Sequence, residues 1–345
     1  PFVLSARTPA AVAEYATLLR STLDGRSDWR PDVLARYLAT ARGRFDHRAV
    51  VLGRGRAELL AALDDLAEGR EADAVVRGVA AGKNKTVFVF PGQGSQWLGM
   101  ATELLSESDV FRSAMTECAD ALEPLTGWSL LDILASTDET ALDRVDVVQP
   151  ALFAVMVSLA ALWRSYGVEP VAVIGHSQGE IAAAYVAGAL SLADAARVVA
   201  LRSKALLALS GKGGMASVAL DEEATAELLD SWRGRLSVAA INGARSTVVS
   251  GDAPAIDELL VLAEQRGVRA RRIPVDYASH SVHVEDIRDE LLDALSSIAP
   301  RSADVAFYST VRGQRLADTA ELTAAYWYEN LRRPVRFDTA VRALL

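Results

Sequence analysis

Residues 171–181 decide the fold; they have the sequence Val-Ala-Val-Ile-Gly-His-Ser-Gln-Gly-Glu-Ile. The first four are apolar and mostly β-branched, which predicts a buried parallel strand. The motif Gly175-His176-Ser177-Gln178-Gly179 follows, and an Ala-rich helical pattern begins after it. A G-x-S-x-G motif between a strand and a helix is typical of a nucleophile elbow, which exposes the serine at the carboxyl end of the sheet. We therefore expect Ser177 to be a nucleophile; the alternative is a tight turn with an incidental serine.

Composition and charge limit the class of protein. The chain has 345 residues, 51% of them hydrophobic and 23% charged, as expected of a globular protein with two or three domains. The net charge of −9 argues against a nucleic-acid partner. We find no apolar run of membrane-spanning length and no secretion leader, which predicts a cytoplasmic protein without a membrane partner. The single cysteine, Cys118, fits a reducing compartment and lies in a helical pattern, where we expect a core residue.

The hydrophobic pattern divides the chain into three parts. Residues 1–85 predict a small α/β module that ends in a weakly patterned linker. Residues 86–212 and 275–345 contain the elbow and predict a large subdomain with a parallel sheet. Residues 213–274 have the order β-α-β-β-α-β, which is typical of a ferredoxin-like subdomain inserted between the two halves. The chain ends within a helical pattern, so we expect it to be a piece of a longer protein.

A second loop follows a predicted strand at Thr86–Phe90 and reads Pro91-Gly92-Gln93-Gly94-Ser95-Gln96. It has neither the third glycine of a dinucleotide motif nor a Gly-Lys-Ser/Thr sequence, so neither nucleotide motif is satisfied. One interpretation is that a backbone N–H here forms half of an oxyanion hole, with the N–H of Gln178 as the other half. The alternative is an ordinary Gly-rich connection.

The serine needs a base, and there are four histidines to consider. His47 lies in the N-terminal module, and His176 adjoins the serine and should point away from it. Of the remaining two, His280 is favoured over His283 because it lies where the inserted subdomain rejoins the core. No aspartate is obviously placed to complete a triad, so a Ser–His dyad whose imidazole is held by a carbonyl is at least as plausible.

Two further segments are notable. Arg202 lies within the otherwise apolar residues 198–209, where a cation needs an anion or a carbonyl partner; the alternatives are an exposed face or a structural ion pair. Residues 144–150, Arg-Val-Asp-Val-Val-Gln-Pro, predict a break before an apolar helix at residues 151–166.

Five motifs, in order and with matching spacing, carry a resemblance that covers essentially the whole chain: residues 90–96, 175–180, 202–203, 277–281 and 326–337. With these residues the chain closely resembles the acyltransferase domain of modular type I polyketide synthases, in the malonyl-CoA:acyl-carrier-protein transacylase family. The resemblance implies an α/β fold with an α/β-hydrolase-like core, a parallel sheet and an inserted ferredoxin-like (βαββαβ) subdomain. Residues 1–85 resemble the linker between a ketosynthase and the acyltransferase.

The same resemblance implies catalytic roles. Ser177 matches the nucleophile and His280 the base, while Gln93 and Gln178 match the residues whose backbone N–H groups bind the oxyanion. Asn330 aligns with the residue whose carbonyl orients the catalytic histidine in place of an acid. No metal and no bound cofactor are implied.

Substrate-binding roles follow from the resemblance too. Arg202 matches the arginine that clamps the free carboxylate of the extender unit, which suits the planar guanidinium. Asn242 aligns with a position near the active site. The segment 144–149 with Gln149, the Gln178 after the serine, and residues 277–280 with Tyr277 and Ser279 resemble methylmalonyl-selective members; malonyl-selective ones usually have His-Ala-Phe-His at the last site.

The implied reaction uses methylmalonyl-CoA as donor and the 4′-phosphopantetheine arm of an acyl carrier protein as acceptor, with the adjoining ketosynthase as a further partner. The same reaction with malonyl- or ethylmalonyl-CoA, a serine thioesterase or esterase, and a catalytically silent docking module are the alternatives. Carrier proteins are usually acidic, so docking requires a local positive patch. The candidates are two clusters: Arg266, Arg269, Arg271 and Arg272, and Arg332, Arg333 and Arg336.

Overall fold

A computed structural model describes residues 1–26, 28–80, 85–138 and 140–345. The chain forms two compact units, residues 1–84 and residues 85–345. Residues 81–84, which belong to the predicted linker, lie outside the described residues. Each unit has its own hydrophobic core.

The N-terminal unit is a small α/β structure whose elements are, in chain order, β1 (Phe2–Ala6), α1 (Pro9–Asp24), α2 (Pro31–Thr40), β2 (His47–Val51), α3 (Arg56–Ala67) and β3 (Val75–Val79). The strands pair antiparallel in the order β1-β2-β3. Strand β3 lies within the segment predicted as a weakly patterned linker; its pairing with β2 is a long-range contact that its mixed composition does not indicate.

The second unit begins with the elements that carry the elbow: β4 (Thr86–Phe90), α4 (Thr102–Glu107), α5 (Asp109–Thr126), α6 (Leu130–Ala135), α7 (Val145–Ser165), β5 (Pro170–Gly175), α8 (Gly179–Ala187) and α9 (Leu192–Leu206). The inserted segment follows with β6 (Gly213–Val218), α10 (Glu222–Leu228), β7 (Leu236–Gly243), β8 (Ser246–Asp252), α11 (Ala253–Gln265) and β9 (Ala270–Ile273). The C-terminal elements are α12 (Arg288–Ala294), β10 (Ala306–Ser309), β11 (Gln314–Arg315), α13 (Ala324–Arg332), β12 (Val335–Arg336) and α14 (Phe337–Leu344).

The sheet that carries the elbow has four strands in the order β11-β10-β5-β4, of which β4, β5 and β10 are parallel. Strand β5 is central and leads directly into the elbow, so the carboxyl ends of β4 and β5 meet at one edge. The α/β fold predicted from the sequence is confirmed. Cys118 is buried in the core of this unit, and burial raises the pKa of its thiol to about 12.

Helix α7 crosses this core. Its 21 residues have a mean hydropathy of 1.9 in the most apolar window, so among the described helices it alone is long and apolar enough to span a membrane. The expectation that no segment reaches this length is wrong, but 89% of the window is buried inside the protein, as in a core helix. The predicted break at residues 144–150 is wrong too, because α7 begins at Val145 and continues through Pro150, the sixth residue of the helix.

The inserted segment forms a sheet of order β12-β7-β8-β6-β9. The four strands of the segment have the strand order of a ferredoxin-like subdomain, with α10 and α11 between them. The assignment of all of residues 275–345 to the large subdomain needs correction, because β12 pairs parallel to β7 and extends the sheet of the inserted segment. This pairing satisfies the backbone groups at an otherwise open edge of β7.

Candidate active site

The elbow places Ser177 between β5 and α8 with a left-handed backbone, φ 52°. Two glycines make this turn possible. A Cβ on Gly175 would overlap the backbone of Gly179 and Glu180, and one on Gly179 would overlap the carbonyl oxygens of Phe90 and Pro91. The serine side chain therefore projects from a turn whose flanking positions have no room for a larger residue, at the N-terminus of α8, where free N–H groups favour negative charge.

His280 lies against this serine. Its Nε2 is 2.9 Å from the Ser177 Oγ, and its Nδ1 is 2.8 Å from the backbone carbonyl oxygen of Arg333. Since a carbonyl only accepts, Nδ1 carries the proton, and Nε2 accepts the serine hydroxyl. A further bond from the His280 N–H to the Leu331 carbonyl, 2.8 Å, holds the residue at φ 59°. The arrangement is a Ser–His dyad with a carbonyl in the place of an acid.

The carbonyl that holds the imidazole is not that of Asn330, so this part of the expected role is wrong. Arg333 follows the last residue of α13 in an extended conformation, ψ 157°, which turns its carbonyl out of the helix and toward the ring. Asn330 is 1% exposed and acts through its side chain. Its Nδ2 donates to the Ser177 carbonyl, 3.2 Å, and its Oδ1 accepts from Arg202, 3.4 Å.

Arg202 lies in the same site with only 1% of its surface exposed. Its Nη1 donates to Gln149 Oε1, 2.8 Å, and its Nη2 is 3.4 Å from the Ser177 Oγ. Within the described ranges Arg202 makes no ion pair with a carboxylate, and its Nε has no hydrogen-bond partner. Burial lowers the pKa of Arg202 to about 10, so the guanidinium stays charged at neutral pH. Among the described residues this buried cation has no carboxylate within ion-pair distance, and it lies beside the candidate nucleophile.

Electrostatics keep the candidate base neutral. Burial, and next the positive charge of Arg202, lower the pKa of His280 to about 3. The imidazole is therefore unprotonated at neutral pH and can accept the serine proton. An anion bound to Arg202 would offset its charge and raise the basicity of His280.

The two glutamines expected at an oxyanion hole lie at the edge of the same cleft. In the part of the chain that the structure describes, the backbone N–H groups of Gln93 and Gln178 donate to no other protein group. The side chain of Gln178 is 1% exposed, and neither its Nε2 nor its Oε1 has a protein partner among the described residues. This amide is available to a ligand or to water.

The cleft has a volume of about 570 Å³ and brings together the remaining candidate residues. The Tyr277 hydroxyl donates to Gln93 Oε1, 2.7 Å, which also lies 3.4 Å from Gln149 Nε2. Burial raises the pKa of Tyr277 to about 12, so the hydroxyl keeps its proton. Ser279 lines the cleft with its Oγ 3.6 Å from the sulfur of Met215.

The other histidines have different partners. His176 Nε2 is 2.8 Å from Asn242 Oδ1, which accounts for the place of Asn242 beside the site. His283 Nε2 is 2.8 Å from Asp252 Oδ1, and no contact with Ser177 is found for it within the described residues. His47 lies on β2 of the N-terminal unit.

Two groups of the site were missed from the sequence. Glu180 is completely buried and bonds to Asn330 Nδ2, 3.0 Å. Its signal was a charged residue at the start of the apolar helix α8, where a carboxylate needs donors. The Arg333 carbonyl is a backbone group, so no side-chain pattern could have indicated it.

Comparison with known proteins places these residues in a family. A family profile described as "Acyl transferase domain" matches residues 87–345. Polyketide synthase GfsB of Streptomyces halstedii is 56% identical over 99% of this chain, and mycoketide-CoA synthase of Mycobacterium tuberculosis is 53% identical over 99%. The chain spans only 6% and 8% of these two proteins.

Solved structures agree with this placement. The acyltransferase domain from module 8 of the salinomycin polyketide synthase superposes with a TM-score of 0.94 at 56% identity, covering 99% of this chain and 81% of that one. The malonyl CoA-acyl carrier protein transacylase of Coxiella burnetii superposes with a TM-score of 0.69 at 28% identity, covering 75% and 83%.

Proposed function

Because this chain belongs to the acyl transferase domain family, as found in polyketide synthases, we propose that it loads a methylmalonyl extender unit onto an acyl carrier protein. The donor is methylmalonyl-CoA, the intermediate is an ester on Ser177, and the acceptor is the phosphopantetheine thiol of the carrier. The observation that carries the proposal is Arg202: a buried cation, unpaired among the described residues, whose Nη2 is 3.4 Å from the Ser177 Oγ.

In the first half-reaction the Ser177 Oγ attacks the thioester carbonyl and its proton passes to His280 Nε2. The carbonyl oxygen becomes an oxyanion, which the backbone N–H groups of Gln93 and Gln178 bind. The C–S bond then breaks, and the CoA thiolate takes the proton from His280. The Arg333 carbonyl stabilises the transient imidazolium through Nδ1–H, the task of the acid in a triad.

In the second half-reaction the thiol of the carrier protein attacks the acyl-serine ester. His280 removes the thiol proton and returns it to Ser177 as the C–O bond breaks, which regenerates the free hydroxyl. The two halves form a ping-pong scheme with one active site for both acyl acceptors.

Arg202 selects acyl groups that carry a second carboxylate. Two parallel charge-assisted hydrogen bonds to that carboxylate would compensate the buried charge, whereas an acetyl group would leave it unpaired. Gln149 fixes the guanidinium by accepting a hydrogen bond from Nη1, while Nη2 faces Ser177.

Small side chains near the α-carbon support methylmalonyl as the extender unit. Ser279 stands where a phenylalanine is usual in malonyl-selective members, which leaves space for a methyl branch. A single methyl group changes specificity by about 1–3 kcal/mol, so selectivity over malonyl- and ethylmalonyl-CoA is expected to be incomplete.

Charge favours one surface for the acidic carrier protein. Arg332, Arg333 and Arg336 each pair with a glutamate, and Arg272 pairs with Asp257. The exposed residues Arg266, Arg269 and Arg271 form no ion pair among the described residues. They lie just before Ile273 and Pro274, which line the cleft, so we assign the carrier to this side.

The N-terminal unit is proposed to be the linker that joins the acyltransferase to a preceding ketosynthase. It lies outside the residues matched by the family profile, yet the alignment with GfsB covers nearly the whole chain.

The test is competitive acylation. The protein is incubated with equal amounts of malonyl-, methylmalonyl- and ethylmalonyl-CoA, and its intact mass is measured before and after addition of the phosphopantetheinylated carrier. We expect a methylmalonyl adduct that moves to the carrier. A malonyl or ethylmalonyl adduct would contradict the substrate, and rapid hydrolysis with no carrier preference would indicate a thioesterase.

A further inference from the structure

A fully buried carboxylate lies behind the nucleophile. Glu180 has no exposed surface, although it is an ionisable residue in the first turn of α8. Its Oε1 accepts from the backbone N–H and the hydroxyl of Thr310, and its Oε2 accepts from the Tyr326 hydroxyl at 2.7 Å and from Asn330 Nδ2 at 3.0 Å. Tyr326 and Asn330 are four residues apart on α13 and therefore share one face of that helix.

These contacts fix which way the Asn330 amide points. Its Nδ2 faces the Glu180 carboxylate and the Ser177 carbonyl, and its Oδ1 faces Arg202 Nη2. Burial raises the pKa of Glu180, while the hydrogen bonds from Tyr326, Thr310 and Asn330 lower it. Both Glu180 oxygens already accept hydrogen bonds from these donors, the Ser177 carbonyl can only accept, and a guanidinium can only donate. The reverse orientation would set an amide oxygen against the carboxylate and an NH₂ group against the guanidinium.

From this geometry we propose that Glu180 is a positioning residue for the carboxylate clamp: it orients the Asn330 amide so that its oxygen holds Arg202 toward the bound acyl group. The inference rests on the proposed function and adds a residue to it. Glu180 touches neither the nucleophile side chain nor the cleft, and acts only through Asn330.

The orientation of the Asn330 amide matters because of the other contacts of Arg202. Its described partners are neutral oxygens of Gln149, Ser177 and Asn330. If the Asn330 amide were flipped, its NH₂ group would face Arg202 Nη2 in place of its oxygen. The guanidinium would then move away from the serine, and the acid end of the substrate would lose its partner.

The test uses methylmalonyl-CoA and propionyl-CoA, which differ only in the carboxylate, and measures kcat/KM for acylation of the full chain. Glu180→Gln replaces the acceptor by an amide with the same shape. We expect the ratio of methylmalonyl to propionyl kcat/KM to fall by about tenfold to hundredfold, the loss expected of one charged hydrogen bond. The fall should be mainly in KM for methylmalonyl-CoA.

Tyr326→Phe is the matched control. It removes one donor from the same Glu180 oxygen but leaves the carboxylate facing Asn330. We expect lower stability with an unchanged ratio. An unchanged ratio in Glu180→Gln, or an equal loss in both variants, would overturn the inference.

A second variant, Asn330→Ala, removes the amide that Glu180 orients and decides the question should Glu180→Gln alone not fold. Its ratio of methylmalonyl to propionyl kcat/KM should fall about as far as that of Glu180→Gln. An unchanged ratio in Asn330→Ala contradicts the inference. A wild type that methylmalonyl-CoA does not acylate overturns the proposed function itself, which is a different outcome.

Discussion

The Ser177 Oγ and the His280 Nε2 meet at 2.9 Å although the two residues are 103 positions apart, and both have a left-handed backbone. Within the described ranges they are the two non-glycine residues with positive φ, at 52° and 59°. Such conformations cost about 1–3 kcal/mol each and persist only where the surroundings impose them. Here the glycines of the elbow impose one, and the Leu331 and Arg333 carbonyls impose the other.

Removal of the Arg202 guanidinium should reduce the preference for substrates with a second carboxylate more than it reduces the rate of acylation by substrates without one. Arg202→Ala is expected to lower kcat/KM for methylmalonyl-CoA by about a hundredfold, the loss expected of one or two charge-assisted hydrogen bonds, with a much smaller effect on propionyl-CoA. Single-turnover acylation with both substrates measures this. Arg197→Ala, on the same helix α9 but away from the cleft, is the control, and equal losses on both substrates would refute the clamp.

The acid limb of the pH profile should lie well below the ordinary histidine value. Burial and the charge of Arg202 lower the pKa of His280 to about 3 from 6.5, and the neutral form is the active base. The kcat/KM for acylation should therefore stay at its plateau as pH falls through 6.5. In Arg202→Ala the limb should move to higher pH because a positive charge is lost. A wild-type midpoint near 6.5, with the fold intact by circular dichroism, contradicts this.

The unprotonated His280 also links stability to pH. Above pH 6.5 the imidazole is neutral in both folded and unfolded chains, so it contributes no pH dependence there. Below pH 6.5 the unfolded chain binds the proton and the folded chain does not, so stability should fall as the pH drops toward 3. His280→Gln should flatten this part of the urea-midpoint profile; a profile identical to that of the wild type would argue against the lowered pKa.

The elbow should not tolerate even one added methyl group. Gly175→Ala would press a Cβ into the backbone of Gly179 and Glu180, and we expect it to lower the free energy of unfolding by about 3 kcal/mol or more. Urea denaturation measures the change. Gly243→Ala is the matched control, since no atom lies within 4 Å of its added Cβ. A Gly175→Ala protein as stable as that control would show that the turn is not so tightly packed.

A bulky side chain at the cleft should disfavour the branched acyl group. Ser279→Phe is expected to lower kcat/KM for methylmalonyl-CoA relative to malonyl-CoA by about 10-fold to 200-fold, the range for one methyl group in a pocket. Competition between the two CoA esters, read by intact mass, measures the ratio. Ser281→Ala is the control, at a buried serine whose hydroxyl donates to the Ala278 carbonyl and accepts from the His283 N–H. An unchanged ratio would show that residues other than Ser279 determine the choice between methylmalonyl- and malonyl-CoA.

Local patterns predicted the parts of the fold that depend on neighbours in sequence. The strand, turn and helix around Ser177 each have a composition that favours the observed structure. Strand β12 and strand β3 were missed because short strands form through pairing with distant partners, β7 and β2, and not through their own propensity. The start of α7 was misplaced because a proline disfavours a helix interior, whereas α7 contains Pro150 as its sixth residue and is buried along most of its length.

As with the fold, sequence patterns indicated some groups of the candidate site and missed others. Motifs indicated side chains such as Ser177, His280 and Arg202, and the structure brings these three together. The motifs could not indicate the Arg333 carbonyl, which is a backbone group. They led to the expectation that the Asn330 carbonyl holds the His280 imidazole, whereas the Arg333 carbonyl does so. The relation between Glu180 and Asn330 needs α8 and α13 to pack together, 150 positions apart in the sequence.

The central claim is that the Ser177 hydroxyl carries the acyl group. The most direct measurement is the intact mass of the wild type and of Ser177→Ala after brief exposure to methylmalonyl-CoA without a carrier protein. The account predicts one covalent methylmalonyl adduct on the wild type, located to the peptide with Ser177, and none on the variant. An adduct of the same mass on a folded Ser177→Ala protein would contradict it.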